Sequence, residues 1–506
     1  MLFTATLKPF LFAVCLQYVI KSVYLFMSNR IIYWFRNDLR LHDNEGFLKA
    51  TTTATEVIPV FIFDPRLFKQ DHLKIKKTGY FRAQFIREAV EDLRKSLRAL
   101  GGDLLIRVGE PEKVLAELAE QYDINELHLS KEIAQEETNV ESSLSKRLKV
   151  LNVDMVFTWM STLYHVRDLP FGFNKLPDVF TEFRKAVERN SKVRLTVVDP
   201  EKVILPADYD PQSIPSLSDL GFAANEIIPS DPRGVLPFEG GETAALQRLN
   251  EYIWKKDLVA TYKETRNGLL GADYSSKFSA WLSLGCLSPR RIYEEVKKYE
   301  AERISNSSTY WLIFELMWRD YFHFVMLRWG ARLFKSSGLR LDKDKSWKHN
   351  HDLFNKWKEG KTGVPFVDAN MQELNATGFM SNRGRQNVAS FLAKDLHIDW
   401  TWGASYFESL LVDYDVCSNW ANWNYVAGVG NDPREDRYFN QYSQATRYDE
   451  AGEYVRHWLP ELAHVPKDKI HKVWRLTPSE QVRYGITLGE NYPLPIIDAD
   501  KWLKNH

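Results

Sequence analysis

The stretch FRAQFIREAVEDLRKSLRALGGDLLIRV, residues 81–108, decides how the first part of the chain folds. Phe81, Phe85, Ala89, Leu93 and Leu97 fall on one stripe at helical spacing, with charged residues between them. Gly101 and Gly102 then suit the left-handed cap that ends such a helix. Leu104–Val108 follows as an apolar run of strand length. Working outward, Ile31–Phe35, Val57–Phe63, Glu126–Leu129 and Val153–Trp159 read as further strands. Pro111 opens one helix, where its missing N–H costs nothing, and Glu136–Leu148 forms another. Strands alternating with helices predict a mostly parallel sheet covered on both faces, in an α/β N-terminal domain over 28–160. No G-x-G-x-x-G follows the first strand, so nothing supports a pyrophosphate site in this domain.

Residues 161–240 gather Pro, Asp and Ser, with one helix near Asp178–Arg189, and read as an interdomain linker. From 241 to 497 helical periodicity dominates and predicts an all-α C-terminal domain. Ser288-Pro289 is a helix start; Tyr310–Trp329, Gly378–Asp395 and Tyr406–Leu411 are helix candidates. Residues 498–506 are left as a tail. Residues 1–27 carry no Asp or Glu, and the apolar run Pro9–Leu16 is too short to span a membrane. With Met27 directly before the first strand, a start codon called too early reads better than a targeting signal.

Lys+Arg and Asp+Glu both total 67, so any phosphate-binding face is a local patch. Cys15, Cys286 and Cys417 lie far apart without a CxxC pair, which argues against a disulfide framework or a zinc site. A reducing compartment, the cytoplasm, is expected, with organelle targeting by 1–27 left open. The chain holds 16 Trp, 23 Tyr and 29 Phe. Such rings serve a large core, base stacking or electron transfer, and composition alone favours the core.

Four segments carry candidate chemistry. In WLIFELMWRDYF, 311–322, Glu315, Trp318 and Arg319 share one helix face, as an internal ion pair beside a core indole or as a binding face. In FMSNRGRQNVASFLAKDLHIDW, 379–400, Asn382 and Arg385 stand one turn apart, either at a solvated helix start or aimed into a cleft. In LVDYDVCSNWANWNYVAG, 411–428, Asp413 and Asp415 stand close together. They need cations or N–H donors, from a metal or from a heterocycle and an arginine. In ADYSSKFSAWLSLGCLSP, 272–289, Ser275, Ser276 and Ser279 precede an apolar helix, as ordinary caps or as an anion site.

Together these segments resemble the photolyase/cryptochrome family, in the wording of the DASH cryptochromes. WFRNDLRLHDN (34–44) is similar to that family's opening, and GEYVRHWLPEL (452–462) to its closing motif. EGKTGVPFVDANMQEL (359–374), TGFMSNRGRQNVASFLAKDL (377–396) and VAGVGNDPREDRYFN (426–440) are close to DASH phrasing. The resemblance runs from about Arg30 to Ile497.

The resemblance implies a Rossmann-like antenna domain followed by a helical FAD-binding domain. It assigns Tyr262, Ser275, Ser276, Lys277, Phe278 and Ser279 to the pyrophosphate side of FAD. Arg319, Asn382 and Arg385 would surround the isoalloxazine, with Asp413 and Asp415 as acidic partners and Asn419 beside flavin N5. Trp423, Trp400 and Trp347 match an electron chain running outward. Glu315 and Trp318 match contacts to a flipped-out pyrimidine dimer, with Tyr425 and Gln386 where classical photolyases carry other residues. Arg340, Lys343, Lys345, Lys348 and Arg383 are candidate phosphate contacts. Glu88 resembles a contact to a 5,10-methenyltetrahydrofolate antenna. The implied activity is light-driven transfer of an electron from reduced FAD to cyclobutane pyrimidine dimers, preferentially in single-stranded DNA. The alternative is a blue-light photoreceptor or nucleic-acid-binding regulator. DNA is the expected partner, RNA a second one, and a monomer without a membrane or a metal is expected.

Overall fold

The computed structural model describes residues 29–341, 345–432 and 438–504. The segment 1–27 and Lys343 lie outside the described residues. One sheet is built from β1 (Arg30–Trp34), β2 (Glu56–Phe63), β3 (Leu105–Val108), β4 (Glu126–Ser130) and β5 (Asp154–Thr158). All pairings are parallel, in the order β3-β2-β1-β4-β5. Helices α1 (Glu45–Thr53), α2 (Tyr80–Ala99), α3 (Pro111–Gln121) and α4 (Gln135–Val150) connect the strands. Ile31, Tyr33 and Phe35 enter one apolar core, and Ile32 and Trp34 another. Both faces of the sheet are therefore covered, as a parallel sheet requires. Gly101, at φ +81°, takes the left-handed position after α2.

The loop 36–44 after β1 welds the two domains. Leu39 N–H donates to Leu284 O (3.1 Å), and Arg40 Nη1 to Gly285 O (2.8 Å). The Leu41 and His42 N–H groups donate to Glu242, and Arg290 pairs with Asp43 at 2.6 Å. A Cβ on Gly285 would stand 2.0 Å from Asn37 O, so only glycine allows this approach.

The helical domain contains α5 (Phe180–Asn190), α6 (Glu242–Asn250), α7 (Pro289–Glu302), α8 (Ser307–Trp329), α9 (Pro365–Thr377), α10 (Asn382–Ser390), α11 (Trp400–Leu410) and α12 (Val416–Ala427). Ser288 caps α7 as its sequence predicts, accepting from Arg290 N–H at 3.1 Å. The reading of Gly378–Asp395 as one helix is corrected. Gly378 (φ +67°) closes α9, Ser381 caps α10, and 391–395 continues as a π turn. The helix read at Tyr406–Leu411 begins earlier, at Trp400, capped by Asp399.

Residues 161–240 are not a free linker. Buried Asp320 on α8 accepts the N–H groups of Leu163 and Tyr164, each at 2.8 Å. Val203 N–H and Ile106 N–H bond across this segment to Leu100 O and Pro211 O. Nor is 498–506 a loose tail over its described part: Trp502 is buried against Phe391 and Trp474. Among the described residues no helix is long and apolar enough to cross a membrane.

Candidate functional site

Helices α10, α11 and α12 border a partly open cleft of about 570 Å3, its mouth included. Asn382, Arg385, Gln386, Asp413, Asp415, Asn419 and Trp423 line it, together with Phe407 and Tyr414. Two of the four motifs, 379–400 and 411–428, thus meet at one cleft, with Phe407 of α11 between them. Close packing of α9 on α10 sets one wall of it: a Cβ on Gly384 would lie 1.9 Å from Asn370 Oδ1.

Arg385 Nη2 donates to Asp413 Oδ2 at 2.9 Å, and its Nε to Met380 O at 2.9 Å. The other Asp413 oxygen, Oδ1, is buried and has no hydrogen-bond partner among the described residues. A buried carboxylate oxygen lacking a donor suits an incoming N–H. Asp415 caps α12 through Ser418 N–H at 2.6 Å. Burial alone would push its carboxyl up. His323 at 3.3 Å, Arg319 at 3.9 Å and the Ser418 N–H outweigh this and hold it well below the ordinary range. Asn419 Nδ2 donates to Ala404 O at 3.1 Å, which fixes the amide at the cleft wall. Ligand atoms of His323, Asp415 and Cys417 lie within 4.8 Å of one another. Asp415 is already satisfied by cationic and N–H partners there, and burial drives the Cys417 thiol far up. This chemistry does not favour the metal reading of the two aspartates.

Ser275, Ser276, Lys277 and Phe278 form a loop ahead of the short helix Ser279–Ser283. The helix is only five residues long, too short for its start to make an anion site by itself. The cradle is made by charge instead. Lys277 is buried at φ +62°; its ammonium donates to Ser275 Oγ (2.9 Å), lies over the Tyr274 ring and makes no ion pair among the described residues. Burial pulls its pKa well below the ordinary lysine value, so an anion would relieve a real cost. Arg248 on α6, unnoticed in the sequence, grips this loop from behind through the carbonyls of Ala272, Ser275 and Ser276. Phe379 sits between Lys277 (5.7 Å) and Arg385 (5.4 Å), which joins the cradle to the cleft. A spare acceptor at Asp413 and an unneutralised buried cation at Lys277 suit a flavin nucleotide with a diphosphate. Tyr262, buried nearby, shares the field of Arg266 with Glu315.

On α8, Glu315 and Arg319 are not paired with each other. Glu315 Oε1 accepts from Arg266 Nη1 (2.5 Å) and Trp311 Nε1 (3.1 Å). Burial raises its pKa, opposed by Arg266. Arg319 donates to the carbonyls of Ser161 and Leu282 as well as approaching Asp415. Trp318 stacks on Phe180 and meets Tyr425 edge-on at 6.1 Å and 85°. Gln386 Oε1 accepts from Arg383 Nη1 at 2.8 Å.

Trp423 lines the cleft and packs edge-on against Phe407 at 5.1 Å. Its ring lies on Gly403, where a Cβ would be 2.3 Å from its Cη2. Gly403 stands one turn from Trp400 on α11, so the two indoles share that helix face. Trp400 is fully buried, and Trp347 is partly exposed.

The phosphate candidates divide. Arg340 Nη2 donates to Asp432 O, and Lys345 Nζ to Ala427 O and Gly428 O. Lys345 thus caps the negative C-terminal end of α12, and both charges do structural work. Lys348 is exposed without a carboxylate partner among the described residues, and Arg383 bonds Asn267 and Gln386. Glu88 is also structural: Gly240 N–H and Gln84 Nε2 take its two oxygens. The acids that stand with spare capacity near the domain boundary are others. Glu137 Oε2 and Glu408 Oε1 are buried with no hydrogen-bond partner among the described residues, and burial pushes Glu132 up to about 8. No local motif marks these three, because they come from separate elements.

Residues 31–202 match the family model described as DNA photolyase, and 311–505 the FAD binding domain of DNA photolyase. Cryptochrome DASH of Gloeobacter violaceus is 53% identical over 472 residues, 93% of each chain. The crystal structure of a Synechocystis cryptochrome superposes with TM-score 0.90 at 49% identity, covering 94% of this chain and 98% of that one. A class III photolyase from Agrobacterium tumefaciens gives 0.80 at 28% identity, covering 94% and 96%. A parallel-sheet domain joined to a helical FAD-binding domain is the architecture that these matches share. The chain belongs to the photolyase/cryptochrome family, in its DASH branch.

Proposed function

We propose that the chain repairs cyclobutane pyrimidine dimers in single-stranded DNA, with FAD held between the Lys277 loop and the cleft of α10–α12. FAD, when bound and reduced, supplies the electron that light sets in motion. The protein acts by position and charge. Tyr262 and Ser275–Ser279 take the diphosphate side, with Lys277 as counter-ion. Arg319, Asn382 and Arg385 would border the ring, Asp413 Oδ1 would accept a ring N–H, and Asn419 would face N5 without adding charge. Trp423, Trp400 and Trp347 carry electrons in from the surface.

One observation supports the substrate assignment above others: Trp318 and Tyr425 stand edge to face beside Glu315, on the two helices that Arg319 and Asp415 join. These rings would suit a splayed-out pyrimidine pair, with Glu315 and Gln386 as polar contacts. A phenol offers a smaller stacking face than an indole, and stacking contributes ~1–3 kcal/mol per base. Extruding a dimer from a duplex costs a few kcal/mol, so the single strand is favoured. Lys348 and Arg383 contribute phosphate contacts. An antenna such as methenyltetrahydrofolate finds its polar partners in Glu132, Glu137 and Glu408.

The test is to photoreduce the holoprotein and illuminate it with single-stranded and duplex oligonucleotides carrying one dimer. Dimer loss in the single strand, with little in the duplex, is expected. Tight binding without dimer loss in either would instead favour the receptor reading.

A further inference from the structure

We propose that Phe180 is a positioning residue for substrate: it closes one face of Trp318 and fixes the ring that meets a flipped base. This rests on the substrate reading above.

Phe180 and Trp318 stack with ring centroids 3.7 Å apart and planes 12° from parallel. The other stacked ring pairs described have centroids 5.8 to 6.3 Å apart. Phe180 is buried, and its edge contacts reach Phe314 (5.2 Å, 86°) and Tyr321 (5.7 Å, 68°). Phe180 therefore fits between three rings of α8, two of them perpendicular to its own plane or nearly so.

The residue is held there from outside its own helix. Tyr321 Oη donates to Asp178 O at 2.6 Å, and Asn431 Nδ2 donates to the same oxygen at 2.9 Å. Arg328 pairs with Asp178 at 2.8 Å and donates to Leu176 O at 2.5 Å. Four contacts from α8 and the 430 loop thus pin residues 176–178, directly before Phe180. The segment between the domains thus holds the ring that backs Trp318.

The consequence for recognition is geometric. With one face covered by Phe180 and Tyr425 standing edge-on, a flipped base meets Trp318 on what remains of the indole. An indole free to rotate would lose entropy on stacking; a clamped one has lost it already. Phe180 then contributes to binding of the extruded lesion, and not to phosphate-mediated binding of the strand.

The experiment compares holoprotein variants in the dark, with a single-stranded oligonucleotide carrying one thymine dimer and the same strand undamaged. Phe180→Leu should weaken binding of the dimer strand by about three- to tenfold, the range of one aromatic pair. Binding of the undamaged strand and flavin content should stay unchanged. In a Trp318→Ala background the same change should have no further effect, because nothing is left to position. Phe180→Tyr should retain most of the affinity. Equal weakening of both strands, or an undiminished effect without Trp318, would overturn the inference. If Phe180→Leu sheds flavin, Phe180→Met keeps the volume without a flat face and decides by the same comparison. Wild-type protein that does not distinguish the two strands would sink the substrate reading and this inference together. A wild-type preference left intact in the variants sinks only this one.

Discussion

Trp347 and Trp400 donate their indole N–H groups to one acceptor, the carbonyl oxygen of Ser336, each at 3.0 Å. Their ring nitrogens therefore stand within twice that distance of each other. The residues lie far apart in sequence, and a main-chain oxygen joins them. Trp423 is seated on Gly403, one turn from Trp400, and Trp347 is partly exposed, so the proposed electron chain would run from the cleft outward. Trp423→Phe should keep its flavin yet photoreduce several-fold more slowly, followed by bleaching of the flavin's blue absorption band. Trp347→Phe should slow the same reaction by removing the outermost member. Normal photoreduction in the Trp423 variant would show that electrons arrive by another route.

Lys277 is buried, makes no ion pair among the described residues and is held in a left-handed conformation. If a diphosphate is its counter-ion, Lys277→Met removes a charge-assisted hydrogen bond. FAD affinity should drop roughly ten- to a hundredfold, corresponding to ~1.5–3 kcal/mol. Fluorescence titration of apoprotein measures it. The variant apoprotein should also resist denaturant better than wild type, because the burial cost of an ammonium without an ion-pair partner is gone. Unchanged FAD affinity would place the diphosphate elsewhere.

Glu132 makes stability depend on pH. Burial pushes its carboxyl up to about 8, above the ordinary glutamate value of 4.5. The folded chain therefore holds this proton where the unfolded chain has released it. Its contribution to stability is present at low pH and is lost as pH rises from about 4.5 to about 8. Glu132→Gln, which stays neutral, should match wild type near the low end and exceed it in Tm near the high end. A Tm difference that does not grow with pH in this window would show that Glu132 titrates normally.

Gly384 tests the wall of the cleft. An added methyl would meet Asn370 Oδ1, whose side chain is anchored by its own amide to Phe366 O at 2.6 Å. Gly384→Ala should destabilise the protein by ~1–3 kcal/mol, read from the urea midpoint, and loosen flavin binding with it. Full stability would mean that α9 and α10 move apart at little cost.

Local physics accounts for the features legible along the chain. The stripe on α2, the Gly101 cap, Ser288-Pro289 at the start of α7 and the alternation of strands with helices all depend on neighbouring residues. They could be read one segment at a time. So could the candidates Glu315, Trp318, Arg385 and Asn419, whose side chains mark them within their motifs. Tertiary structure alone decided which of these work together. Arg340 and Lys345 looked like free cations, yet their partners are backbone carbonyls, and every residue has one of those. Arg248, Phe180, His323 and Ser336 carry no local signature, because each acts on a group brought to it from a distant part of the chain. Contacts of that kind exist only once burial has chosen neighbours, and no spacing along the chain encodes them.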